Sequence, residues 1–324
     1  MAVDYVRRTA RAHYAAQKAV VAQTLEQVDD LWTRMSVDDI AGSWEKIRPA
    51  VVQVASAGQA RAASGAPLLI DRVLAADGLD SDPLDVVSPL AFAGWTADGL
   101  NLGTAVDSTP ISARVGLARG ATPARALESA HKRLDRLVGS EVHDAGKGAV
   151  EAAMRLEPQI VGWERYVNTP CCSRCAILAG RFYKVSDGFE RHPGCRCCHR
   201  PMTQAGKDAG PEQDPRDLFY EMTDEQQNAA FTPEGARAIR DGADISQVVN
   251  SRWQGGVRGK SAGMSRPGDP YTTAGTGRRS AYGRQERAAG RRVPRRRLSP
   301  QGVALQAGDD TVLYRRLLRE NGYL

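Results

Sequence analysis

All six cysteines of this 324-residue chain fall between Cys171 and Cys198, and none occurs in the other 296 residues. Thiols used as ordinary core residues scatter with the elements that need them, so a block this tight marks a local chemical task. It reads Cys171-Cys172-Ser173-Arg174-Cys175, then His192-Pro193-Gly194-Cys195-Arg196-Cys197-Cys198-His199, which makes eight soft or borderline ligands. A tetrahedral zinc needs four. The spacing Cys172-x2-Cys175 presents two thiolates from one turn, and His192-x2-Cys195 or Cys195-x-Cys197 supplies the second pair from a facing loop. The candidate ligands are therefore Cys172, Cys175, His192, Cys195 and Cys197.

The surroundings favour structural zinc. Met1 to Val20 carries Arg7, Arg8, Arg11 and Lys18 among alanines, unlike an export signal, and no stretch approaches the roughly 20 uncharged apolar residues that span a bilayer. Synthesis in the cytosol and no membrane partner are expected, and a reducing cytosol keeps thiols available as ligands. A catalytic zinc keeps an open position beside an acid or base, whereas here ligands are in surplus and Glu190, the one carboxylate close by, reads as a solvated loop residue. A redox Cys-x-x-Cys would sit in a βαβ pattern, which is missing. Buried or merely reactive thiols remain the alternative. A segment of roughly 45 residues buries little apolar area, and structural zinc, worth on the order of 10–16 kcal/mol in isolated fingers, offsets its ordering entropy.

Elsewhere the pattern is helical. Aromatic residues make up only 6% of the chain and hydrophobic residues 42%, so cores must be built from Ala, Val and Leu, which suits closely packed helices. Val21, Leu25, Val28, Leu31 and Met35 recur at helical spacing. Ser36 with Asp39 marks a restart, and Val37, Ile40, Trp44, Ile47, Val51 and Val54 continue it as the second arm of a hairpin. A short helix is expected near Leu68 to Ala76, a Gly- and Asp-rich loop from Gly94 to Pro110, a helix from Thr122-Pro123 ending at Gly139, and another from Glu141 to Leu156. Strands are expected on both sides of Cys171 to Gly180, at Val161 to Val167 and Arg181 to Val185. Thr223 and Thr232-Pro233 start two more helices.

Charge is segregated. Residues 251–324 hold 16 Lys+Arg against 5 Asp+Glu, while the first 250 hold 28 against 33. With 12 Gly and 4 Pro in those 74 residues, the tail reads as a disordered basic arm up to a terminal helix near Asp310 to Arg319. Arg291, Arg292, Arg295, Arg296 and Arg297, with Trp253, Tyr271, Tyr282 and Tyr314 interleaved, are its candidate nucleic-acid contacts. The expected architecture is mainly α with a small zinc-stabilised β hairpin module (α+β). Its parts are a helical body at 1–157, a Cys/His zinc-knuckle β module at 158–205, a short helical segment at 206–250, and the basic tail at 251–324.

The composite motif Cys172-x2-Cys175-x2-Leu178-x-Gly180, a β-prone segment, then His192-Pro193-x-Cys195-Arg196-Cys197 resembles the signature of the Mu F-like minor head (head morphogenesis) proteins of tailed phages. The match covers about Arg155 to Pro201. The helices from Thr122 and the segment Phe231 to Asn250, with Ala238-Ile239-Arg240-Asp241-Gly242-Ala243-Asp244, are similar to actinobacterial-phage versions. The resemblance implies a minor capsid protein of the virion head at the portal vertex, present in the host cytoplasm during assembly. Portal and capsid proteins would be its partners, with packaged double-stranded DNA reached through the tail during packaging or ejection. Cys171, Cys198, His199 and the tail fall outside the family pattern. Two other readings are a zinc-containing nucleic-acid-binding protein and a head-maturation protease. His13, His131 and His143, with Ser129 and Ser140 nearby, form no recognisable triad element, so no enzymatic activity is expected.

Overall fold

The computed structural model describes residues 2–188, 195, 197–252 and 269–324, with backbone alone for 2–7. Glu190, His192 and Trp253 lie outside the described residues. The chain is mainly helical with small antiparallel sheets. It divides into two compact units, one of residues 1–168 and 180–212, the other of 169–179 and 213–324.

In the first unit, α1 (Ala2–Trp32) and α2 (Ile40–Ala63) form the expected hairpin. The second arm begins at Ile40 because the Asp39 carboxylate accepts the Gly42 N–H at 2.8 Å, leaving Ser36 in the connecting turn. After α3 (Ala66–Ala76) the Gly- and Asp-rich stretch departs from expectation, since it carries α4 (Leu102–Val106) and α5 (Ser108–Ala118). Asn101 caps the first by accepting the Thr104 N–H at 3.3 Å. Asp107 accepts from Trp44 Nε1 at 3.0 Å and Arg48 Nε at 2.6 Å, and Leu102, Val106 and Ala113 enter the core with Trp44, Val51, Leu134 and Val138.

The two helices expected on either side of Gly139 are one, α6 (Pro123–Leu156), 34 residues long. Its glycines permit close packing and do not stop the helix. A Cβ on Gly146 would lie 2.9 Å from Gln17 Cδ and 3.2 Å from the Ala62 carbonyl oxygen, so α1 and α2 approach α6 only because nothing is there.

The sheet has three strands where two were expected. β1 (Gly162–Val167) is central, with β2 (Phe182–Lys184) on one side and β3 (Cys197–Met202) on the other, all antiparallel. β3 occupies the place given to a knuckle loop. Every residue of β1 and β3 is buried, a pattern in which the period-2 alternation of a half-exposed strand disappears. Trp163 joins a second core with Leu74, Val150, Met154 and Ile160.

The second unit holds helices Ser173–Ala176, Pro215–Tyr220, Asp224–Phe231, Pro233–Arg240, Ile245–Ser251, Ala281–Ala288, Pro300–Ala307 and Thr311–Glu320. Strands Tyr271–Thr272 and Arg297–Leu298 pair antiparallel. Thr223 closes a capping box with Gln226, and Thr232 accepts the Gly235 N–H at 3.2 Å, as their spacing anticipates. The terminal helix also lies where expected, capped by Asp310. The disordered arm does not hold for residues 269–324, which fold around buried Tyr282, Val303, Tyr314, Leu317, Leu318 and Tyr323. The glycines that read as disorder are close-contact positions. A Cβ on Gly302 would lie 2.8 Å from the Pro270 carbonyl carbon, and one on Gly283 would strike the Gly277 carbonyl.

Overpacking a tight helix contact costs about 1–3 kcal/mol. Gly146→Ala should therefore lower unfolding stability by about that amount in urea melts, while Gly188→Ala, whose Cβ would meet nothing within 4 Å, should change it by less than about 0.5 kcal/mol.

Candidate metal centre

The Cys-x-x-Cys turn begins where Cys172 caps the helical turn Ser173–Ala176, its Sγ accepting the Cys175 N–H at 3.4 Å. A matching bond occurs at the other half of the motif, where Cys195 Sγ accepts the Cys197 N–H at 3.5 Å. Backbone donors aimed at sulfur favour the thiolate over the thiol. Cys175, Cys195 and Cys197 are all buried, and their sulfurs lie within 4.8 Å of one another, close enough to hold one metal ion. None of the six cysteines is in a disulfide. Of the remaining candidate ligands, Cys172 is half-buried at the start of the turn, outside that group of three, and His192 lies outside the described residues.

The neighbouring block residues have other work. Cys198 pairs across the sheet with Tyr166 and packs with it and Ala10, accepting a hydrogen bond from Asn168 Nδ2 at 3.7 Å. Burial pushes its thiol up to about 11, so it is a neutral core thiol at pH 7. His199 stacks edge-on against Trp163 at 4.6 Å, and its Nε2 lies 3.3 Å from Glu151 Oε1 of α6. Burial lowers its pKa, while the Glu151 hydrogen bond works in the opposite direction.

One turn before Glu151 on α6 is Lys147, a buried lysine absent from the sequence reading. Burial lowers its pKa, and the sulfurs of Cys195, Cys197 and Cys198 raise it. A signal for it was present. From Ala145 to Val150 the helix reads Ala-Gly-Lys-Gly-Ala-Val, small residues on all sides, as in a helix end enclosed by protein. Also missed was the ion cluster beside the strand pairing. Arg200 Nε donates to Glu164 Oε2 at 3.1 Å, its Nη1 to Glu212 Oε1 at 3.2 Å, and the Glu212 N–H to Glu164 Oε1 at 3.2 Å.

The histidines outside the cysteine block each have a local partner. His13 meets Gln17 Nε2 at 2.9 Å, His131 meets Asp29 at 2.8 Å and stacks on Trp32, and His143 lies edge-on to Tyr14. Among the candidate nucleic-acid contacts, Arg297 is 2% exposed and internally bonded. It donates to the Ala274 and Asn321 carbonyls at 2.9 and 2.6 Å and to Gln247 Oε1 at 2.9 Å, with its guanidinium 4.4 Å from the Tyr323 ring centre. It belongs to the core and not to a phosphate-binding surface. Arg291 is tied to Glu286 through two bonds, while Arg292, Arg295 and Arg296 are exposed.

No protein-family model, no curated protein and no solved structure matches the chain. Among the described residues, no helix is long and apolar enough to cross a membrane.

Removing one partner from a buried ion cluster costs about 3–5 kcal/mol, so Arg200→Met should lower urea-unfolding stability by that order. A second expectation concerns His13, whose pKa burial, His199 and Arg72 lower to about 4. The unfolded chain then takes up a proton below pH 6.5 that the folded one refuses, and stability falls as pH drops from 6.5 towards 4. At pH 5 the loss relative to pH 8 is about 2 kcal/mol. His13→Gln should flatten that part of the stability–pH curve.

Proposed function

We propose that the chain is a minor capsid (head morphogenesis) protein of a tailed phage, built around a structural zinc and acting by assembly rather than catalysis. The observation that carries this reading is the convergence of Cys175, Cys195 and Cys197, because the three thiols come from both halves of the motif that resembles Mu F-like minor head proteins. Three buried thiolates make a soft donor set suited to zinc. Cys172, at the start of the Cys-x-x-Cys turn, is the candidate for the fourth ligand among the described residues. When bound, zinc contributes binding free energy directly to folding, and a centre filled by four protein ligands leaves no position for a substrate.

The helical unit has a surface suited to portal or capsid contact. Leu84, Val86 and Leu90 are 75–80% exposed, beside a cavity of about 550 Å³ lined by Ile70, Leu79, Val86 and Leu156 with Asp71, Asp80 and Asp85 among its walls. Exposed apolar side chains gathered in one region are what protein interfaces use.

Freshly reduced protein should carry about one equivalent of zinc by mass spectrometry, and Cys175→Ser should release it and lower the melting temperature. The protein should also co-sediment with portal-containing proheads that hold no DNA. Metal content near zero removes the zinc centre, and failure to sediment with proheads removes the head-protein reading.

A further inference from the structure

Residues 269–324 contain twelve arginines, no lysine and five acidic residues. Four of the arginines are accounted for within the fold. Arg297 is buried, Arg291 pairs with Glu286, Arg315 lies 3.6 Å from Asp241, and Arg316 lies 3.9 Å from Glu320. Arg278, Arg279, Arg284 and Arg287 are exposed, and no carboxylate among the described residues lies within ion-pair distance of them.

These four are gathered by the fold. Arg284 and Arg287 stand one turn apart on helix Ala281–Ala288. Arg284 Nη1 donates to the Arg279 carbonyl at 3.0 Å and Arg287 Nη2 to the Arg278 carbonyl at 2.9 Å, which fixes both guanidinium groups over the turn that carries the other two arginines. Arg284 thereby uses one of its five N–H donors, and Arg287 uses two, since its Nε also donates to the Gly283 carbonyl at 3.3 Å, so both keep donors for a ligand. Buried Tyr282 anchors the helix from below. Beyond it, the segment Gly290–Arg296 adds exposed Arg292, Arg295 and Arg296.

The chemistry selects among polyanions. Guanidinium matches phosphate oxygens in a planar fork, which an ammonium does not. A protein partner would need an apolar centre, yet among the described residues helix Ala281–Ala288 and the turn that carries Arg278 and Arg279 expose no large hydrophobic side chain, the exposed Tyr271, Leu305 and Val312 being on other elements of the unit. We infer that the face formed by Arg278, Arg279, Arg284 and Arg287 binds the phosphate backbone of duplex DNA without sequence preference. This deepens the head-protein reading, resting on it for packaged DNA as the source of the phosphates, and it replaces the flexible arm with a pre-ordered surface from which Arg291 and Arg297 are excluded.

The test is fluorescence anisotropy of the full chain with 24-base-pair duplexes of unrelated sequence, with zinc content measured on the same samples. Four phosphate contacts give a log–log salt slope of about −3.6, so affinity should fall about 150-fold between 50 and 200 mM salt. Arg284→Gln with Arg287→Gln should make the slope shallower by about 1.8, and Arg278→Gln with Arg279→Gln should do the same independently. Arg315→Gln with Arg316→Gln removes equal charge elsewhere on the unit and should leave affinity within about twofold. The inference is overturned by no binding at 50 mM salt, by equal loss in that control pair, or by tighter binding of polyglutamate than of duplex. Loss of DNA binding in protein that retains its zinc counts against this surface alone, and DNA binding by zinc-free protein counts against the metal reading alone.

Discussion

Placing a guanidinium in a protein interior costs several kcal/mol unless carboxylates meet it, and Arg200 meets two. Glu164 lies directly across the strand pair and Glu212 closes the other side, with all three side chains at most 5% exposed. The arrangement is satisfied only when Glu164 and Arg200 are opposite each other. That fixes the register of β1 on β3, and the register decides where the rest of the cysteine block goes. Cys198 is set against Tyr166, and Cys197 and His199 are turned to the other face with Trp163 and Arg165.

The strand therefore sorts chemically similar residues into different tasks. Cys197 reaches the other two thiols, whereas Cys198, one residue away, faces Tyr166 and Ala10 with its thiol held neutral by burial. His199 is drawn to Glu151 on α6, and Lys147 lies one turn earlier on that helix, where burial lowers its pKa and the sulfurs raise it. A cation enclosed beside thiols favours their ionised form. Lys147 and the sulfurs each favour the other's charged form, against the burial that disfavours both.

Much of this was legible in the chain and some was not, for identifiable reasons. The helical hairpin, the caps at Thr223 and Thr232, the strands on both sides of the Cys-x-x-Cys turn and the thiols of the cluster follow from periodicity, capping chemistry and spacing. β3 was invisible because Cys-Cys-His-Arg-Pro-Met is buried on both faces and so has no alternation to read, and because its cysteines were already claimed by a loop. Gly139 misled the reading of α6 because a glycine inside a long helix looks in sequence like one that ends it, and a Cβ there would meet only Val21 and Leu25 at ordinary distances. In residues 269–324 the same ambiguity hid a fold, where glycine backbones packed against carbonyls looked like a flexible linker. Arg297 was indistinguishable from its neighbours in an arginine run, although it alone of the run is fully enclosed.

The period of a β-strand gives the pairing of β1 and β3 a further property. A slip of one residue exchanges the two faces of a strand. In this chain it would turn Cys197 to the face that Cys198 now holds, in the same movement that set Arg200 opposite Trp163 or Arg165 instead of Glu164. Two unrelated penalties, one ionic and one involving sulfur, would fall on the same error. The sheet thus carries a built-in parity check, in which a mispaired chain fails electrostatically and chemically at once and is excluded from the native population by both.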